Sequence, residues 1–236
     1  SRYAPAPLRV RKDTDVLLAL DKLNNSRYKP YRDKRRTSGS QSEMPSLSMD
    51  GDDLIVQGYQ AFSVSSNQLI LSSDPTKYTL FYRKLKYLHD VYGVNTLLDI
   101  GSNAGLILLM AHFCGYSGQI YGLDHDIEYI NVSRSVFYQR KIANISVELF
   151  SFGDELPLRY RSEVVVMGAV LHWIFSCTAM FPDFAAIFKY LYPVVGRFLL
   201  VEWIDRFDPA VKSFNNLTWS GSEPRAMYTL SKFEQE

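Results

Sequence analysis

At 236 residues the chain is long enough for one domain with an extra segment, and for a full buried core. Its hydrophobic fraction of 47% is ordinary, and no run of about 18 uncharged apolar residues occurs, so no membrane-spanning helix is expected. A net charge of +1 argues against nucleic-acid binding through overall basicity, and two cysteines, Cys114 and Cys177, each in an apolar segment, suit a reducing cytoplasm better than a disulfide framework.

Residues 1–50 read as a basic, Ser-rich leader or linker. Ser1 to Lys12 has no apolar signal core, so secretion is not expected. Eleven Lys and Arg between Arg2 and Arg36 face four Asp, a segment suited to touching phosphates or to remaining solvated. Asp15 to Leu23 predicts a short helix capped by Asp13 or Thr14, and Thr37 to Ser42 has linker composition. Residues 51–236 read as the main folded domain. Leu54 to Phe62 and Asn67 to Leu71 predict two short strands or a hairpin, and Asp74-Pro75 opens a helix running to about Tyr92.

From Val94 onward, β-branched runs alternate with helical stretches. Strands are predicted at Thr96 to Ile100, Gln119 to Leu123, Ser146 to Phe150, Val164 to Met167 and Phe198 to Trp203; Leu106 to Phe113, Ile127 to Gln139 and Phe181 to Tyr190 read as helices. The alternation predicts an α/β, Rossmann-like, mostly parallel sheet with helices on both faces. Asp208 to the C-terminus leaves no obvious place for a final strand pair, so fewer than seven strands are expected.

The first strand runs into Asp99-Ile100-Gly101-Ser102-Asn103-Ala104-Gly105 and then into an apolar helix. Small residues let the backbone approach a ligand there, and the helix offers N–H groups. The second strand ends at Asp124, nineteen positions after Gly105, beside His125 and Asp126. A carboxylate at that place accepts from a ribose diol and repels a 2′-phosphate, which disfavours NADP and leaves NAD and S-adenosylmethionine open.

Asp-Ile-Gly-Ser-Asn-Ala-Gly resembles the first motif of class I S-adenosylmethionine-dependent methyltransferases, with Asn103 at the middle glycine, a residue that tolerates left-handed backbone. Over Tyr78 to Asp208 the resemblance implies Asp99 near the methionine end of the cofactor, Asp124 on the ribose with Asp126 a weaker candidate, and Asp154, in Phe152-Gly153-Asp154-Glu155-Leu156-Pro157, at the adenine amino group. Arg83, on the preceding helix, is a candidate partner for the methionyl carboxylate. S-adenosyl-L-homocysteine would be the product.

Methyl transfer to a hydroxyl requires the acceptor to be oriented and its proton removed. His172, just past the fourth strand in Gly168-Ala169-Val170-Leu171-His172-Trp173, is the candidate base. The segment is similar to the catalytic region of plant caffeate-type O-methyltransferases, with Trp173 where an acid usually follows the His. Glu202 and Asp205 form a carboxylate pair expected to hold an acceptor hydroxyl or orient His172; no metal is expected. The pattern of Gly58-Tyr59-Gln60, His172-Trp173 and Val201 to Asp205 resembles methyltransferase domains of algal-virus and bacterial glycan-building proteins fused to glycosyltransferases. That resemblance implies O-methylation of a small polar or glycan acceptor, most plausibly a sugar hydroxyl. RNA or cap methylation and a non-catalytic cofactor-binding module are the alternatives.

Overall fold

The computed structural model describes residues 17–19, 44–177, 181, 183–205, 208 and 228–235. The Ser-rich linker and most of the basic leader lie outside that set. In chain order the chain forms strand β1 (Leu17–Ala19), then four short strands, β2 (Ser46–Asp50), β3 (Asp53–Gln57), β4 (Phe62–Val64) and β5 (Leu69–Leu71). Next come α1 (Pro75–Tyr92), β6 (Leu97–Ile100), α2 (Leu106–Phe113), β7 (Ile120–Asp124), α3 (Ile127–Gln139) and β8 (Ile145–Leu149). The series ends with β9 (Ser162–Met167), α4 (Leu171–Cys177), α5 (Phe184–Leu191), β10 (Val195–Val201) and α6 (Leu230–Phe233).

Six strands form one parallel sheet in the order β1-β10-β9-β6-β7-β8. Side chains alternate across it as the two-residue strand period requires. Leu97, Val164 and Val166 enter one core with Leu85 of α1, helix α2 and Ile130 of α3. Leu98, Val165 and Met167 enter the other, with Leu171, Phe184, Ile187 and Phe233. Helices therefore cover both faces, the Rossmann-like α/β architecture that the alternating pattern implied. Chain order reverses between β6 and β9, so the loops after these two strands open the crevice where ligands of such sheets collect.

The strand β1 corrects the helix expected over Asp15 to Leu23. Leu17, Leu18 and Ala19 pair in parallel with Phe198, Leu199 and Leu200. Apolar spacing in that segment fits a helix, but a three-residue apolar run also suits a buried ladder, and the open edge of β10 decides between them. After residue 208 the described residues form only α6, whose Phe233 is buried with Tyr228 against Phe184 and Trp203.

Where two short strands were expected, β2-β3-β4-β5 form a four-stranded antiparallel sheet. Leu54, Val56, Phe62 and Val64 alternate along β3 and β4 and are buried in the same core as α2. The connection between β3 and β4 carries Tyr59 and Gln60 to the loop after β6. Helix α1 begins as the sequence predicted: the Asp74 carboxylate accepts from the Lys77 amide (3.1 Å), Pro75 occupies the first turn, and left-handed Gly93 (φ 65°) ends it.

Candidate active site

The loop after β6 is held by hydrogen bonds to the end of β7, to Gln60 and within itself. The Gly101 and Ser102 amides both donate to the Leu123 carbonyl of β7 (2.7 and 3.0 Å), and the Asn103 amide donates to Asp124 Oδ2 (2.7 Å). The Ala104 amide donates to Asn103 Oδ1 (2.9 Å) and the Gly105 amide to the Ser102 carbonyl (2.9 Å). Finally, the Leu106 amide, at the start of α2, donates to Gln60 Oε1 (3.1 Å), which is buried. Asn103 has φ 50°, the left-handed backbone expected of it, and Ser133 of α3 donates to its carbonyl (2.9 Å).

All six amides from Gly101 to Leu106 are thus engaged by the protein. The loop gives a ligand close backbone approach, and the donors still open at this edge, among the described residues, are the Ile107 and Leu108 amides in the first turn of α2.

Gly101 and Ser102 are tightly enclosed, and the buried Ser102 Oγ has no hydrogen-bond partner among the described residues. Gly101 has φ 78°, and a Cβ there would collide with Val170 Cγ2, so the loops after β6 and β9 touch at this glycine. The Ser102 side chain is fully buried, its Oγ 2.9 Å from where Gly122 would carry a Cβ. Gly105 (φ 84°) likewise admits Phe137 and Ser133 of α3.

Asp99 is a buried charge-bearing group that no fold requirement explains. It is fully buried, and neither carboxyl oxygen has a hydrogen-bond partner among the described residues. Two-residue alternation along β6 puts it on the face of Leu97, under α1. Burial pushes its pKa up to about 8, Asp124 adds to the rise, and Lys77 opposes it. An orphaned carboxyl at the floor of a crevice invites a cationic ligand.

Asp124, 7% exposed, ends β7; each of its oxygens accepts one amide, Oδ2 from Asn103 and Oδ1 from Asp126 (3.0 Å). Each oxygen keeps a lone pair for a ribose hydroxyl. His125 is 83% exposed, with Nδ1 3.5 Å from Asp124 Oδ1. Asp126 caps α3, its Oδ1 accepting from the Glu128 amide (2.9 Å). Asp154 is exposed in the turn after β8 and accepts weakly from the Ser151 amide (3.4 Å), open to a base edge as well as to water.

Across the crevice, His172 sits in the first turn of α4, only 3% exposed. Burial lowers its pKa to about 4, Asp208 opposes that drop and Lys77 adds to it. Its imidazole is therefore neutral near pH 7. Trp173 is 52% exposed, while Trp203 stacks on Tyr228 (4.8 Å, 15° between planes) within the aromatic cluster. Ala169, at the exit of β9, holds φ 54°, an uncommon conformation for a non-glycine residue beside a site.

Two expectations are corrected here. Arg83 is exposed, and at 100° per residue it falls on the face of α1 opposite Tyr78, Leu85 and Leu88, which turns it away from the crevice. Glu202 and Asp205 have separate surroundings: Asp205 is exposed, whereas Glu202, beside Gly168, pairs with Lys77 Nζ at 2.8 Å. Lys77, unremarked in the sequence, is the cation of the site. Its side chain is 13% exposed and its ammonium lies 5.2 Å from the Tyr78 ring centroid and 5.8 Å from that of Tyr59. Burial works against its charge, but Glu202 and the two tyrosines outweigh this and hold its pKa above the ordinary lysine value.

No group of three or more potential metal ligands occurs among the described residues, and no helix there is long and apolar enough to cross a membrane. No family model matches the chain, and no curated protein matches it. Among solved structures it is similar to a SAM-dependent methyltransferase from Aquifex aeolicus, at 22% identity and TM-score 0.41, over 58% of this chain and 73% of that one. It is also similar to the plantazolicin methyltransferase BpumL, solved with SAH, at 16% identity and TM-score 0.45, over 68% and 61% of the two chains. A third is the bifunctional kinase-methyltransferase WbdD, at 16% identity and TM-score 0.44, where the match spans 61% of this chain and 31% of WbdD. Likeness at this level carries no weight for chemistry, which rests on the site itself; what the sheet order and its two helical layers establish is a Rossmann-like α/β domain.

Proposed function

We propose that this chain is an S-adenosylmethionine-dependent methyltransferase. The observation that carries the reading is the pairing of an orphaned, buried Asp99 with a glycine loop whose six amides are already engaged. The first favours a positively charged ligand and the second holds the loop in the form that lets its backbone approach one, so a sulfonium nucleoside fits better than NAD. Bound there, S-adenosylmethionine supplies an electrophilic methyl group on a cationic sulfur. Asp124 would accept from the ribose hydroxyls, Asp99 would face the positive end, and Asp154 would stand near the base.

For the acceptor, the proposal is a sugar hydroxyl, methylated in the cytoplasm by a domain that belongs to a larger glycan-building protein. His172 is the group to take the hydroxyl proton. Its neutral imidazole has the right protonation state at pH 7, but with a pKa near 4 it is a weak base. It acts after the new C–O bond has begun to form, when the hydroxyl has become acidic.

The test follows conversion of S-adenosylmethionine to S-adenosylhomocysteine over a panel of mono- and oligosaccharides and capped RNA. Turnover on sugars, cut about 10²- to 10⁴-fold by His172→Ala, is expected. A loss below about tenfold removes His172 from the base role. Turnover on RNA alone would overturn the sugar assignment, and cofactor binding without turnover on any acceptor would make the chain a binding module.

A further inference from the structure

We infer that the Lys77–Glu202 ion pair, with the Tyr59 ring beside it, is the acceptor subsite, and that it grips a vicinal diol on one edge of a pyranose ring. The inference deepens the sugar reading and rests on it. Placement, spare hydrogen-bonding capacity and an exposed aromatic ring carry it.

Placement follows from strand register and contacts. Val166 of β9 pairs with Asp99 on one side and with Leu200 on the other, so Gly168 and Glu202, each two residues further on, continue that face past the carboxyl edge of the sheet. Glu202 Oε2 lies 3.9 Å from where a Cβ on Gly168 would stand, and the loop after Gly168 touches Gly101 through Val170. Lys77 Nζ, from the first turn of α1, meets Glu202 Oε2 at 2.8 Å. The ion pair therefore stands at the exit of β10, with only β9 between that strand and β6. Strands two apart run about 10 Å from each other, so a sugar held at the pair can present a hydroxyl toward the loop after β6.

The pair has capacity to spare. An ammonium carries three donors, and a carboxylate offers about four lone-pair sites. Among the described residues each group has only the other as a charged partner, and the two side chains keep 13% and 15% of their surface exposed. Gauche hydroxyls on neighbouring ring carbons are spaced much as the ammonium nitrogen and the carboxylate oxygen are. One hydroxyl can accept from Lys77 while the next donates to Glu202, two charge-assisted bonds that fix the orientation of the ring.

Tyr59 supplies the apolar half. It is 60% exposed although both its neighbours are anchored: a Cβ on Gly58 would stand 3.3 Å from Pro45 Cα, and buried Gln60 holds the Leu106 amide (3.1 Å). A ring that the core does not use is thereby fixed beside the ion pair, its centroid 5.8 Å from Lys77 Nζ, while the buried Tyr78 ring lies 5.2 Å from the same nitrogen. The C–H bonds of a sugar pack on an aromatic face, and its edge hydroxyls then meet the charges next to that face.

Saturation-transfer NMR on the protein saturated with S-adenosylhomocysteine tests the inference. The probes are the methyl α-pyranosides of glucose, mannose and galactose, which carry gauche vicinal hydroxyls, and 1,6-anhydroglucose, whose neighbouring hydroxyls point to opposite faces. At least one pyranoside should bind and the anhydro sugar should not. Glu202→Gln should weaken the bound pyranoside tenfold or more, and Tyr59→Ala about 3- to 10-fold, with S-adenosylhomocysteine affinity by calorimetry within about twofold in both. Tyr59→Phe, which keeps the ring, should bind as the unsubstituted protein does.

Pyranoside affinity unchanged in both variants, equal binding of the anhydro sugar, or no pyranoside bound by a protein that binds S-adenosylhomocysteine would overturn the inference and leave the methyltransferase reading standing. A parallel loss of pyranoside and S-adenosylhomocysteine in Glu202→Gln would make the pair merely a support for α1 and overturn it as well. Failure of the unsubstituted protein to bind S-adenosylhomocysteine would overturn the methyltransferase reading and this inference with it.

Discussion

Replacing Asp99 by Asn keeps the shape of the side chain and removes a single ionisation. Burial strips the water from the Asp99 carboxyl and Asp124 lies near, which together push its pKa from the ordinary 3.8 up to about 8 in the folded protein. Below pH 3.8 both folded and unfolded chains hold the proton and no penalty exists. Between 3.8 and 8 the unfolded chain ionises freely while the folded one retains its proton, so stability is lost as pH rises. At pH 7 the interval is about 3.2 units, or roughly 4 kcal/mol at 1.36 kcal/mol per unit; at pH 5 it is roughly 1.6 kcal/mol.

Asn at this position carries no such term. Burial of His172 acts in the opposite direction between its folded pKa of about 4 and its ordinary 6.5, but it is common to both proteins and drops out of their difference. Asp99→Asn should therefore stabilise the ligand-free protein at pH 7 by up to roughly 4 kcal/mol, or about 8–15 °C in Tm for a domain of this size, and by less than half of that at pH 5. Thermal melts at pH 5, 6, 7 and 8 give the answer. A Tm difference independent of pH, or lower stability at pH 8, would refute the reasoning. The same substitution should weaken S-adenosylmethionine binding, since it removes the charge that the site holds in reserve.

Two further outcomes follow from the loop. Gly101→Ala forces a Cβ into Val170 at φ 78° and should destabilise the fold by about 1–3 kcal/mol, with Val170→Ala in the same chain recovering the steric part in urea unfolding. Gln60→Leu leaves the Leu106 amide without its acceptor (3.1 Å) and should lower stability by about 1–3 kcal/mol while weakening S-adenosylhomocysteine several-fold by calorimetry.

Local pattern made the strands and most helices from Val94 onward legible, because each is an apolar run bounded by its own caps and turns; α4 was not, since Leu171 to Cys177 follows β9 too closely to read as a separate element. The three acids at strand ends were legible for the same reason: Asp99, Asp124 and Asp154 are each fixed by a strand and the loop that follows. The partners of those elements were not. The Leu106 amide finds Gln60 forty-six residues earlier, and β1 finds β10 across nearly the whole chain, contacts that no window of sequence contains.

Lys77 did leave a signal. A lysine in the first turn of a helix opposes the helix dipole, and α1 has no acid in that turn, so its charge had to be met from elsewhere in the fold. Glu202, 125 positions further on, meets it. Arg83 was attractive only because it was basic and on the right helix; counting turns from the buried Tyr78 puts it on the solvent face.

The most direct test of the account is calorimetric titration of the purified chain at pH 7.5 with S-adenosylmethionine, S-adenosylhomocysteine and NAD, repeated with Asp124→Ala. Micromolar binding of the two sulfur nucleosides, none of NAD, and loss of binding in the variant is the predicted result. Binding of NAD with no affinity for either sulfur nucleoside would contradict it.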